Sequence, residues 1–277
     1  MTSETRPAIV VLGCGDVGSA VAHALHRNGF GVVLIDQADP AWTRRGMAYV
    51  DAWYLGTAAL DGVTACFCAS VRSIPFVLDR REMIAATTWS WQGVTQALQP
   101  FALIDARVNK RQPPPLLKAN ARELLTIGLG PGFVAGVHAD IAIETAWDAL
   151  GSIIEAGATR PFAGEPRLLG GAGRERYVYA PVAGRFGSDL TIGDRVARGD
   201  IVGTIDGEPI AAPLDGVLRG LCSRGARVIE RQKIVEVDPR GDPSLCFGLA
   251  ERPRRIAQGV IEALARRRVV RYELLQR

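Results

Sequence analysis

The sequence predicts an α/β chain: a parallel sheet with crossover helices in the first part, then a small all-β domain. Three observations predict it. The chain opens with a strand, a glycine loop, a helix, a second strand and an acid. Near its middle an apolar run feeds a second glycine-rich loop. Its second half holds an ungapped internal repeat without helical periodicity. The first order is that of a Rossmann-like βαβ unit, so the expected class is an N-terminal Rossmann-like parallel sheet plus a C-terminal all-β domain.

Ala8-Ile9-Val10-Val11-Leu12 is continuously apolar, as a strand covered on both faces is. Gly13-Cys14-Gly15-Asp16-Val17-Gly18 follows at once, and Val17, Ala20, Val21, Ala24 and Leu25 mark one helical face. Asn28-Gly29 stops the helix with a left-handed cap. Gly31 to Ile35 is a second buried strand closing on Asp36, which follows Gly18 at close to the spacing of about 20 in the dinucleotide fingerprint. Gly13, Gly15, Gly18 and Asp36 are therefore candidate ligand residues. Asp16 stands where a pyrophosphate would sit, and its carboxylate both caps the helix and repels phosphate. Two readings stay open here: an NAD(P)-like site, or a scaffold whose anion position is filled internally.

Arg44 and Arg45 lie just past the second strand, and arginine forks suit phosphate or carboxylate. Val63 to Ala69 and Pro75 to Leu78 read as strands, and Trp89 to Leu98 as a helix stopped by Pro100. Phe101 to Asp105 is another buried strand, with charges clustered from Asp105 through Arg107 and Lys110 to Arg111. After the stiff Pro113-Pro114-Pro115 link comes the central stretch, with glycines at Gly128, Gly130, Gly132 and Gly136 around Pro131. The strand ends at Leu12, Ile104 and Ile127 are expected to bring Gly13–Gly18, Asp105–Arg111 and Gly128–Gly136 to one edge. There Arg44, Arg45, Arg107 and Lys110 would neutralise a phosphate-bearing ligand. His138 and Asp140 share a face of an alternating strand but have no third ligand, so no metal site is assigned.

In the second half, Ala180-Pro181-Val182-Ala183-Gly184 recurs as Ala212-Pro213-Leu214-Asp215-Gly216. The same offset carries Gly193 to Gly225, Arg195 to Arg227, Val196 to Val228 and Asp206 to Asp238. Two such halves facing each other predict a small flattened β-barrel. A helix is expected over 256–267.

At 277 residues the chain has room for two domains, and 48% hydrophobic with 22% charged residues is an ordinary globular composition. The net charge of +4 is spread out, apart from Arg266-Arg267-Arg268, which reads as a solvated helix end. No aromatic and basic residues interleave, so nucleic acid is not expected as a partner. No secretory or membrane-spanning run is read near Met1, and the five cysteines form no Cys-x-x-Cys pair, so a cytoplasmic protein is expected.

The paired Ala-Pro-x-x-Gly segments resemble biotinyl/lipoyl-like barrel-sandwich hybrid domains. Carrier members of that group bear a lysine at the turn between the halves. Here the turn is Asp206-Gly207-Glu208-Pro209, so no covalent biotin or lipoate is expected. The whole chain resembles the YqeB-type accessory proteins of selenium-dependent molybdenum hydroxylase systems. The matching pieces are Gly13-Cys14-Gly15-Asp16, Arg44-Arg45, Ile104-Asp105-Ala106, Ile127 to Phe133, Glu144-Thr145, Gly170-Gly171, Arg174-Glu175-Arg176, both repeats, and Asp238-Pro239-Arg240-Gly241. The resemblance implies a maturation factor for a molybdenum hydroxylase client, binding a nucleotide-like ligand or the molybdenum cofactor, with a link to selenium. This chain departs from the pattern after Thr145, reading Ala146-Trp147-Asp148-Ala149 where the family carries an Arg-Gly-His. The alternatives are an NAD(P)-dependent oxidoreductase, which lacks any Tyr-x-x-x-Lys proton donor here, and a methyltransferase using the glycine-proline loop. The expected domains are 1–115, Rossmann-like; 116–175, the glycine-loop centre; 176–241, barrel-sandwich; and 242–277, a helical tail.

Overall fold

A computed structural model of the chain describes residues 7–110, 112–162, 164 and 166–275; Arg111 and the side chain of Arg268 lie outside the description. The chain runs β1 (Ala8–Leu12), α1 (Asp16–Arg27), β2 (Gly31–Ile35), α2 (Ala52–Leu55), β3 (Thr57–Leu60), β4 (Val63–Phe67), α3 (Ile74–Arg80) and β5 (Met83–Thr87). It continues α4 (Trp91–Leu98), β6 (Ala102–Asp105), α5 (Leu117–Asn120), β7 (Leu125–Leu129), β8 (Val134–Ala135), β9 (Ile141–Ile143), β10 (Ile153–Ile154) and β11 (Gly157–Ala158). The remainder is β12 (Tyr177–Tyr179), β13 (Gly184–Gly187), β14 (Arg195–Val196), β15 (Ile201–Ile205), β16 (Glu208–Ala211), β17 (Gly216–Leu221), β18 (Arg227–Val228), β19 (Lys233–Asp238) and α6 (Glu251–Leu275). Two compact units result. The first holds Met1–Asp36, Val63–Phe162 and Ala250–Arg277; the second holds Gln37–Gly62 and Ala163–Leu249.

In the first unit the strands order as β10-β9-β7-β6-β1-β2-β5-β4. Pairings from β4 through β9 are parallel, while β10 runs antiparallel to β9. Central strands read as unbroken apolar runs because both sheet faces are covered. On one face Val10, Leu12, Val33, Ile35, Leu103 and Phe133 join a buried cluster with Ile74 and Val94 of α3 and α4. Helices α1 and α6 pack together in the same unit. The approach of α6 needs Gly259, where a Cβ would lie 2.1 Å from the carbonyl oxygen of Gly151. Pro75 to Leu78 was expected as a strand and is helical, within α3. Its apolar run is too short for periodicity to separate the two, and proline is tolerated in a helix's first turn.

The second unit contains two four-stranded antiparallel sheets, ordered β12-β19-β17-β14 and β16-β15-β13-β18. The repeat pairs reciprocally. Gly184 of the first half meets Val228 of the second, and Gly216 of the second meets Val196 of the first. Neither half buries its apolar face alone, so each lends a short strand to the other, around a core with Phe186, Val202, Ile205, Leu218, Val235 and Val237. The segment 37–62 belongs to this unit: the Leu221 N–H donates to Thr43 O at 2.8 Å, and Ala41 joins the same core.

These findings correct the expected fold class. The α/β character stands, but the chain is not a Rossmann-like domain followed by an independent barrel-sandwich domain. One mixed sheet continues past residue 115 through β7 and β9 to an antiparallel edge strand, β10. The antiparallel sheets take in β12, which lies outside the repeat, and share their unit with a segment from the first quarter of the chain. Local patterning reveals strands and turns; it does not reveal which distant segments close a core.

Candidate functional site

In the first unit, parallel register lines up the strand ends. Leu12 is partnered by Ile35 on one side and Asp105 on the other, and Asp105 in turn by Gly128. The loops after β1, β2, β6 and β7 therefore leave the same carboxyl edge, where open α/β sheets bind ligands. Gly13, Gly15, Asp16, Gly18, Asp36, Asp105, Gly128, Gly130 and Gly132 all lie on these segments, and Lys110 follows Asp105 on its loop.

Most of the groups expected to meet a ligand there meet the chain itself. The Cys14 N–H donates to Asp36 Oδ2 at 2.7 Å, so the acid after β2 reaches back to the glycine loop. Gly15 is the N-cap of α1, and Asp16 Oδ1 accepts the Val17 N–H at 3.0 Å. Gly18 lets the helix touch the preceding loop: a Cβ there would lie 1.8 Å from Gly13 O. Gly13 has φ +99°, and a Cβ on it would lie 2.9 Å from Arg107 Cγ. Gly130, at φ +122°, faces the Cα of Val108 in the same manner, at 3.2 Å. Val108 itself sits at φ 49°, a left-handed conformation that a β-branched residue adopts only under strain. Gly128 makes room for the Phe133 ring, which a Cβ would meet at 2.0 Å, and Gly132 lies against Pro114. Thr159 pins the central loop by donating to Gly130 O at 2.7 Å and accepting the Phe133 N–H at 2.9 Å.

Arg107 is the cation of this edge. Its Nε and Nη2 donate to the two oxygens of buried Asp105, at 2.9 and 2.6 Å. That pairing, ahead of the opposing effect of burial, raises the guanidinium's pKa, so Arg107 is charged at any accessible pH. Its side chain is 48% exposed. Lys110 lies 4.8 Å above the Phe162 ring. His138 Nδ1 accepts the Val134 N–H at 2.9 Å, which leaves the neutral ring its proton on Nε2. Asp140 accepts both the N–H and the hydroxyl of Thr126, at 2.9 and 2.8 Å, and pairs with Lys118. Burial pushes the Asp140 carboxyl up, but those donors prevail and hold it below its ordinary value. Among the described residues no group of three His, Cys, Asp or Glu side chains is placed to hold a metal.

Arg44 and Arg45 belong to the second unit, and both are engaged there. Arg45 holds Asp51 through Nε at 2.6 Å. Arg44 grips Glu236 with Nε and Nη2 at 2.9 and 3.0 Å. Glu236, Arg176, Arg219 and Lys233 were not read as site residues. The available signal was acids inside an otherwise apolar strand, Ile234-Val235-Glu236-Val237-Asp238.

No family model matches the chain. It is 33% identical over 259 residues to the uncharacterized protein YqeB of Escherichia coli (strain K12), covering 92% of this chain and 47% of that protein. The likeness to YqeB thus extends across most of the chain, and the chain spans about half the length of that curated relative. Among solved structures, an aspartoacylase family protein from Mesorhizobium loti is 11% identical, over 84% of this chain and 85% of that one, at a TM-score of 0.26. A succinylglutamatedesuccinylase/aspartoacylase from Rhodobacter sphaeroides is 14% identical, over 84% and 86%, at a TM-score of 0.23. At those TM-scores neither brings an activity to this chain. Among the described residues no helix is long and apolar enough to cross a membrane.

Proposed function

We propose that this chain is an accessory factor in the maturation of a molybdenum hydroxylase, and that it handles a phosphate-bearing ligand, nucleotide-like or the molybdenum cofactor itself, at the carboxyl edge of its first-unit sheet. The observation that carries this reading is Arg107: a permanently charged, half-exposed guanidinium clamped by Asp105 where three strand ends meet. Nε and Nη2 are committed to Asp105, and among the described residues no side-chain hydrogen bond engages Nη1, whose donors would serve a ligand oxygen. The motif pieces shared with YqeB-type proteins, and the similarity to YqeB along the chain, support the client class. The link to selenium rests on that resemblance alone.

A pyrophosphate laid on the glycine loop does not fit. The Cys14 N–H is taken by Asp36, the face of Gly13 by Arg107, and Asp16 puts a carboxylate at the start of α1. These contacts weigh against the oxidoreductase reading, which rests on the glycine spacing and Asp36 alone. The discriminating variant is Arg107→Gln, co-expressed with a molybdenum hydroxylase. Hydroxylase activity should fall while the abundance of both proteins stays constant. Undiminished activity would remove the edge from consideration. Gly130→Val does not discriminate, because φ +122° strains any side chain and its Cβ would crowd Val108 at 3.2 Å whether or not a ligand binds.

A further inference from the structure

Strand β19 carries Glu236 and Asp238 into the interior of the second unit, where both side chains are fully buried. A buried carboxylate is tolerated where cations and hydrogen-bond donors in good geometry offset its desolvation. Glu236 has four within ion-pair reach: Arg44 Nε at 2.9 Å, Lys233 Nζ at 3.3 Å, Arg176 Nε at 3.4 Å and Arg219 Nε at 3.9 Å. Asp238 is meanwhile gripped by Arg240 through Nε and Nη2, at 2.9 and 2.6 Å, and reached by Arg219 at 3.3 Å. The other nearby acids, Glu175 beside Arg176 and Asp242 beside Arg240, are exposed to solvent. The two buried arginines, Arg176 and Arg219, balance the two buried carboxylates, and the part-exposed Arg44, Lys233 and Arg240 add an excess of positive charge towards solvent.

Two further features distinguish it from a structural ion pair. The Arg219 side chain is 9% exposed, and among the described residues its buried Nε has no hydrogen-bond partner, Glu236 Oε1 lying 3.9 Å away. A buried guanidinium donor left unsatisfied is unfavourable and points to a missing acceptor. The cations are also ordered in advance. Arg176 lies 4.3 Å over the Tyr177 ring and Lys233 lies 4.6 Å over it, while Arg176 Nη1 is tied to Ala172 O at 3.0 Å. Solvent reaches the cluster at Arg44 and Lys233, 25% and 31% exposed; Lys233 and Arg44 Nε meet Oε2 of Glu236, while Arg44 Nη2 reaches Oε1, the oxygen that Arg176 and Arg219 face.

We propose that Arg44, Arg176, Arg219 and Lys233 form a binding site for a tetrahedral dianion, a phosphate group either free or carried as a small-molecule monoester. Forked guanidiniums match the spacing of phosphate oxygens, and such an ion supplies the acceptor that Arg219 Nε lacks. Glu236 holds the cations in place and competes with the ligand for them. This site stands on second-unit observations and does not depend on the Arg107 reading.

The test is titration calorimetry on the full chain at constant ionic strength, with inorganic phosphate, with adenosine monophosphate and with sodium chloride as the reference. Saturable binding of one phosphate per chain is expected, weakened about tenfold by Lys233→Met and by Arg44→Gln, the loss typical of one charge-assisted contact. Thermal unfolding confirms that each variant folds; if Arg44→Gln does not, Lys233→Met decides alone. Adenosine monophosphate binding at the same site supports the monoester source, and phosphate binding without it supports the free ion. Heat no greater than that of chloride, or binding that Lys233→Met leaves unchanged, overturns the proposal.

Discussion

Replacing Glu236 by Gln removes one buried negative charge and leaves the shape of the side chain almost unaltered. In the wild type its oxygens accept from Arg44 twice, from Lys233 and from Arg176. A glutamine retains one acceptor oxygen but turns an NH2 donor towards guanidinium donors, so part of the network opposes itself. Breaking a buried pair by removing one partner costs about 3–5 kcal/mol, because the remaining charges stay buried. For a chain of this size that corresponds to a fall in Tm of roughly 6–20 °C. Acid titration supplies a second readout. Burial alone would raise the Glu236 pKa, but the charges of Arg44 and Lys233, and the Arg44 hydrogen bonds, hold it well below the usual carboxylate range. A depressed folded-state pKa contributes stability above the unfolded value of about 4.3, and that contribution is lost as pH falls through the folded value. The wild type should therefore lose more stability than Glu236→Gln between pH 5 and strongly acidic solution. Urea unfolding of both forms across that range measures it. A destabilisation under about 1 kcal/mol at neutral pH, or parallel acid limbs, would refute the account of the cluster as tightly coupled.

Two other outcomes follow from the first unit. NAD(H) and NADP(H) should bind weakly or not at all in calorimetry, and Asp16→Ser should strengthen any binding by removing a carboxylate from the start of α1; tight wild-type binding abolished by Asp36→Ala would reverse this. Gly128→Val should destabilise the chain by about 1–3 kcal/mol or more, since its side chain occupies the Phe133 ring position, and Phe133→Leu should recover part of that loss in urea unfolding.

The sequence by itself placed the elements that are locally encoded. Ala8 to Leu12 and Gly31 to Ile35 are strands because only burial on both faces suits such runs, and Gly13 to Gly18 turns the first of them into α1. It also placed the repeat, whose matching positions lie in reciprocally paired strands. Three loops at one sheet edge followed from parallel register, which strand order alone implies.

What the loops do with their glycines was decided by tertiary structure. Each of Gly13, Gly18, Gly128 and Gly130 is required by an approach of the chain to itself, through Arg107, Gly13 O, Phe133 and Val108. A glycine makes room without stating for what, so a ligand and a neighbouring loop leave the same mark in sequence. Arg44 and Glu236 show the same limit at long range. Both are visible as charged residues, but the guanidinium and the carboxylate are brought together only because segment 37–62 folds into the second unit. Charge is written residue by residue; a buried, coupled cluster of charge exists only after distant segments have closed around it, when desolvation turns proximity into energy.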